Sequence, residues 1–93
     1  MIIDAINEKQ VLSFSYDGFQ RTVEPHAVGT SRSGNDILRC FQTAGGHVTS
    51  GHEWDICLLS KISGLRMTGD VFATARPDYK KGDKGMSHIY AEL

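Results

Sequence analysis

Ninety-three residues with 40% apolar content make one small domain with a thin core, spanning residues 1–93. A net charge of −1 excludes a molecule that acts as a whole as an electrostatic trap for polyanions, so any nucleic-acid site has to be a local patch. Two cysteines, Cys40 and Cys57, are too few for a disulfide framework and point to a reduced, cytoplasmic chain, and no run is long and apolar enough for a membrane span or a signal peptide.

Ten glycines beside two prolines suggest many tight turns and a β-rich fold. Residues 1–10 read as a short helix, with Ile2, Ile3 and Ile6 on one stripe and Ala5 and Lys9 near its edges. So short a helix has to dock on a sheet. Residues 11–25, VLSFSYDGFQRTVEP, carry the strongest local signal. Asp17-Gly18 supplies the positive φ that both central positions of a type I′ hairpin turn require. A two-residue loop pairs Tyr16 with Phe19, Ser15 with Gln20, Phe14 with Arg21, Ser13 with Thr22 and Leu12 with Val23. One face then reads Leu12, Phe14, Tyr16, Phe19 and Val23, and the other Ser13, Ser15, Gln20 and Thr22. This register sets Arg21 on the apolar face opposite Phe14. Either its stem packs there while the guanidinium reaches water, or it forms the lip of an anion site.

Pro25 marks an edge or a bend, with 26–31 continuing in a new direction. RSGND (32–36) is a turn and DILRCFQT (36–43) a third strand, apolar on both sides. Residues 44–53 form a glycine-rich loop or hairpin tip. Residues 54–69 return to strand character with Gly64 at a bulge or turn, and a helix competes over 55–63. Beyond 73 the chain is turn-rich and basic, and 86–93 read as a last strand or a short helix. One helix and about five short antiparallel strands close most simply as a small barrel.

These residues carry a likeness. A helix with Ala5-Ile6, then Val11, Phe14 and Tyr16, then Arg21-Thr22-Val23-Glu24-Pro25, Gly34 with Leu38, and Leu59-Ser60-Lys61-Ile62 before Leu65 resembles the WYL domain family over about residues 2–72. The family's Trp-Tyr pair is absent, its place taken by Asp36-Ile37 before Leu38, and Lys61-Ile62 stands where the family has Arg-Ile. The resemblance implies a stand-alone, divergent relative with a small Sm-like or SH3-like antiparallel β-barrel and a short N-terminal helix. It also implies a bacterial or phage regulator that senses a nucleotide or nucleic acid in transcription control, with Arg21 and Lys61 as the basic residues carried over. Residues 73–93 would be a basic C-terminal extension.

Arg21, Arg39 and Lys61, with Phe14 and Tyr16 beside them, would suit a phosphate and a stacked base if their strands are neighbours. The plain alternative is three unrelated surface cations. Arg76, Lys80, Lys81 and Lys84 with Tyr79 form a second basic patch, diluted by Asp78 and Asp83, and such a run is more often a solvated face. Cys40, His47, His52 and Cys57 are a possible tetrahedral zinc set, but lack the short spacing that pre-organises ligands. The cysteines also fit as small core residues. No phosphate-cradling glycine loop and no oriented Cys-His dyad are present, so the reading is non-enzymatic and without a cofactor. Trp54 reads as a core or plug residue. The expectation is a binding or regulatory module with its ligand site around Arg21, forming a homo-oligomer. The alternatives are a self-associating interaction module without a small ligand and a structural zinc protein.

Overall fold

The structure, a computed structural model, describes residues 1–46 and 51–93. The hairpin is present in the expected register. Strands β1 (Gln10–Tyr16) and β2 (Phe19–Ser31) pair Leu12 with Val23, Phe14 with Arg21 and Tyr16 with Phe19. Asp17 (φ 52°) and Gly18 (φ 78°) both take the positive φ of the tight turn. Ahead of it, α1 (Ile2–Asn7) buries Ile2, Ala5 and Ile6, while Ile3 is 45% exposed. The buried stripe thus runs through Ala5 instead of Ile3, because a helix turning 3.6 residues per cycle brings positions 2, 5 and 6 onto one side.

Strand β2 is the spine. It pairs on one side with β3 (Asp36–Gly45) throughout. On its other side it pairs first with β1 and then, from Ala27 to Ser31, with β6 (Met86–Glu92). Pro25 lies where the partner changes, and the β2–β3 register slips between Pro25 and Ala27. A residue without an N–H costs least at such a change. Strand β4 (Trp54–Leu58) pairs with β3, a single 3₁₀ turn follows at Leu59–Lys61, and β5 (Ser63–Val71) pairs with β1. The span 54–69 is therefore two strands around a tight turn, not a helix, and Gly64 has the positive φ (62°) that the irregular β1–β5 pairing needs. The last segment is a strand over Met86–Glu92, not a helix.

The sheet order is β4-β3-β2-β1-β5 with β6 beside the far half of β2, and β4 does not pair with β5. The architecture is mainly antiparallel β with one short helix, and the sheet is not closed by hydrogen bonds. A Cα radius of gyration of 12.1 Å is that of a packed chain of this length. The inner face buries Leu12, Phe14, Val23, Val28, Leu38, Cys40 and Cys57 against Ile2 and Ile6 of the helix. Among the described residues no helix is long and apolar enough to cross a membrane.

Candidate functional site: a basic cleft beneath a strap

Strand alternation sends every second residue of β2, β3 and β4 away from that core. Glu24 lies opposite Phe41, Phe41 opposite Trp54, and Arg39 opposite Ile56. Apart from Ile56, these are not solvent-facing residues in the ordinary sense, because residues 72–85, a strap without regular structure between β5 and β6, lie across them. Arg76 reaches Glu24 with two arms, Nε at 2.8 Å and Nη2 at 3.0 Å, and its guanidinium carbon sits 4.0 Å from the centre of the Phe41 ring. Such a two-pronged, stacked contact is the kind arginine makes and lysine cannot.

His26 is the centre of this face. It is fully buried, with Trp54 edge-on at 4.7 Å between ring centres, Tyr79 at 5.0 Å and Phe72 stacked at 5.9 Å. Trp54 also meets Phe41 at 5.4 Å and donates its indole N–H to Asp78 at 2.7 Å. Further along, Arg39 holds both oxygens of Asp83 at 2.7 and 3.2 Å. That contact holds the Asp83 carboxyl below its ordinary range. Arg32 donates to the Lys84 carbonyl at 2.9 Å, and the Gly82 N–H donates to Glu92 at 2.9 Å, so the strap is also fastened near its junction with β6.

Between strap and sheet opens a cleft of about 590 Å³. Its walls include Trp54 and Tyr79, whose rings stack at 6.2 Å with 23° between planes. Its charged lining is Arg39, Lys80, Lys81 and Lys84 against Asp78 and Asp83. Asp83 is already spent on Arg39, and among the described residues the three lysines make no ion pair. Four cations against two carboxylates, on a chain of net charge −1, concentrate positive potential here. The arrangement offers ammonium donors for phosphate oxygens beside an aromatic surface for a planar group.

The residues expected around Arg21 are placed differently. Arg21 faces inward, 8% exposed, with Nη1 3.3 Å from Asp55 Oδ2 and its guanidinium 5.0 Å from the centre of the Tyr16 ring. Its Nε is buried without a partner. It neither snorkels to water nor forms an open lip. Strand β4 places Asp55 on the same inner face, opposite Cys40 of β3, where it meets Arg21 with its side chain 29% exposed. Phe14 is fully buried, and the Tyr16 hydroxyl accepts the Leu58 N–H at 3.1 Å. Lys61 is exposed at the end of the 3₁₀ turn. Arg39 belongs to the cleft on the opposite face, so Arg21, Arg39 and Lys61 do not come together.

Cys40 and Cys57 are both fully buried free thiols in the inner core. Contact with the Cys57 thiol, together with burial, pushes the Cys40 thiol well above its ordinary value, so it stays protonated and unreactive. His52 is exposed, His47 lies outside the described residues, and among the described residues no cluster could hold a metal ion.

Sequence reasoning named the 76–84 patch but missed Glu24, His26 and Trp54 as its floor. A signal was available: Phe41 and Trp54 fall on the alternation opposite to the core residues Cys40 and Cys57, and two aromatics on an outer face imply a cover. Comparison with protein-family models, curated proteins and solved structures returned no match, so the function rests on this geometry.

Proposed function

We propose that this chain is a non-enzymatic binding module that takes a phosphate-bearing ligand, a nucleotide or a short stretch of nucleic acid, in the cleft under the strap. The observation that carries the reading is the coincidence, in one cleft of about 590 Å³, of Lys80, Lys81 and Lys84 with the Trp54–Tyr79 stack. The site moves from the Arg21 corner to the other face of the same strands, and Arg39 is the residue common to both readings. Arg21 then serves the inner face, not the ligand.

The resemblance to WYL domains gives the same ligand class, and we read the open sheet as a divergent SH3-like barrel left unpaired between β4 and β5. What supports this is the tight hairpin, the 3₁₀ turn between β4 and β5, and a main core, Leu12, Phe14, Val23 and Leu38 among its residues, against one bent sheet. The unpaired edges also favour a second reading, self-association through β4 or β5. Ile56 and Val71 on those strands are 46% and 66% exposed.

Trp54 is the single tryptophan and lines the cleft, so its fluorescence reports occupancy. Titration with nucleoside monophosphates and short oligonucleotides is expected to shift that fluorescence. For oligonucleotides, affinity falls with salt by about 0.7 log units per log unit for each phosphate neutralised. Lys81→Ala combined with Lys84→Ala weakens binding and flattens the salt slope. No response to any of these ligands at millimolar concentration removes the proposal. A mass that rises with concentration and ignores ligands favours self-association.

A further inference from the structure

His26 stands where the bend of β2, the strap and the chain end meet. Its Nδ1 lies 2.9 Å from the Glu24 carbonyl, and its Nε2 lies 3.1 Å from the backbone N–H of Arg76. A carbonyl can only accept and an N–H can only donate. The two contacts therefore fix the ring as the neutral tautomer with its proton on Nδ1. A proton added at Nε2 would oppose the Arg76 N–H, donor against donor, on a ring that is itself fully buried among aromatics. Charged neighbours come from its own strand and from the strap. Glu24 and Asp78 favour an imidazolium and Arg76 opposes it. Glu24 is already held by both arms of Arg76, and Asp78 by the Trp54 indole. Tyr79, pushed up to about 12 by burial and by Glu92 and Asp83, stays neutral. The remaining neighbours, Trp54 from β4 and Phe72 from the strap, carry no charge, and the chain end contributes the Leu93 N–H to the His26 carbonyl. Burial prevails, and the imidazole titrates below its ordinary value of 6.5.

We propose that His26 is a positioning residue that links the cleft to protons: the strap lies closed only while the imidazole is neutral, and a proton on Nε2 breaks the Arg76 contact and loosens it. The lysines and Tyr79 reach the cleft from the strap, so proton binding at His26 and anion binding in the cleft oppose each other. The second half of this statement rests on the binding function proposed above. The linkage of strap and proton does not.

Hydrogen exchange tests it, with rates converted to protection factors at about pH 7.5 and about pH 5 for peptides within 73–85 and within β1. Strap protection is expected to fall on acidification, by no more than about thirtyfold for one imidazole of ordinary unfolded pKa, while β1 holds. His26→Gln keeps an acceptor for the Arg76 N–H but cannot titrate, and its strap protection stays flat. Equal loss in the variant, no loss in the natural chain, or loss of strap and β1 together overturns the proposal. Should the variant not fold, NMR titration of the natural chain decides. An imidazole midpoint below its ordinary value, shared by the strap amides, supports the linkage. A midpoint at or above it, or strap amides that do not follow, overturns it. A thymidine dinucleotide, whose phosphodiester does not titrate in this range, is expected to raise strap protection and lower the His26 midpoint. If the strap follows the proton but the dinucleotide changes neither, the linkage stands and the cleft reading fails. If the dinucleotide binds while protection ignores pH, the cleft stands and the linkage fails.

Discussion

The two faces of β2, β3 and β4 hold the arginines that meet them in opposite ways. On the inner face Arg21 makes one contact of 3.3 Å to Asp55 and leaves a buried nitrogen unpartnered. On the outer face Arg76 makes two short contacts to Glu24, lies on Phe41 and offers its backbone N–H to His26. The inner face is held by apolar area and tolerates an imperfect ion pair at its rim. The cleft side of the outer face is held by directed bonds to the strap, such as Trp54 to Asp78, 24 residues apart, and Arg76 to Glu24, 52 residues apart, and it accordingly depends on protonation and on single partners. A ligand site built on the second kind of surface is easier to regulate than one built on the first.

The largest effect that sharpens the contrast is Phe14→Ala. Removing a fully buried ring from the inner core should cost about 4 kcal/mol in denaturant unfolding and lower both faces in a single transition. Next come the two arginines. Arg76→Met strands the Glu24 carboxylate, whose side chain is 11% exposed, and should cost about 2 kcal/mol, with strap amides losing protection first. Arg21→Met replaces a poorly satisfied guanidinium by an apolar chain of similar length and leaves Asp55 partly open to water, so a loss of under about 1 kcal/mol is expected. Equal losses would erase the distinction.

Acid gives a smaller and slower effect. The folded pKa of His26 lies below its unfolded 6.5, so the unfolded chain binds the extra proton. Stability is lost as pH falls from that value through the folded one, no faster than about 1.4 kcal/mol per pH unit. The folded pKa of Asp83 is also depressed, but from 3.8, so its contribution is present above that pH and disappears in a lower, separate window. Urea melts at several pH values should resolve the two windows, and His26→Gln should abolish only the upper one. Smallest of all, Lys80→Ala should leave stability within about 0.5 kcal/mol, because the side chain is exposed and makes no ion pair among the described residues. Its effect should be on anion binding alone.

Much of the inner face was legible. Period-two alternation with Asp17-Gly18 fixes the β1–β2 register residue by residue, since a slip by one would turn Leu12 and Phe14 outward. Near Pro25 the bend was readable for the same local reason. The 3₁₀ turn at 59–61 and the strand at 86–92 were not, because short apolar runs fit helix and strand periods alike. Arg21 was assigned to the right face but not to its partner, because Asp55 comes from a strand not adjacent in sequence.

The amino-acid order by itself determined the turns, the alternation and therefore which residues share a side of each strand: these depend on φ preferences and on a two-residue repeat, both local. Only the tertiary structure decided that residues 72–85 cross the outer face, that Arg76 meets Glu24 and His26, and that Lys80, Lys81 and Lys84 join Arg39 around one cleft. Those contacts join positions about 40–50 residues apart, and no local preference encodes which distant segment covers an outward-facing aromatic pair.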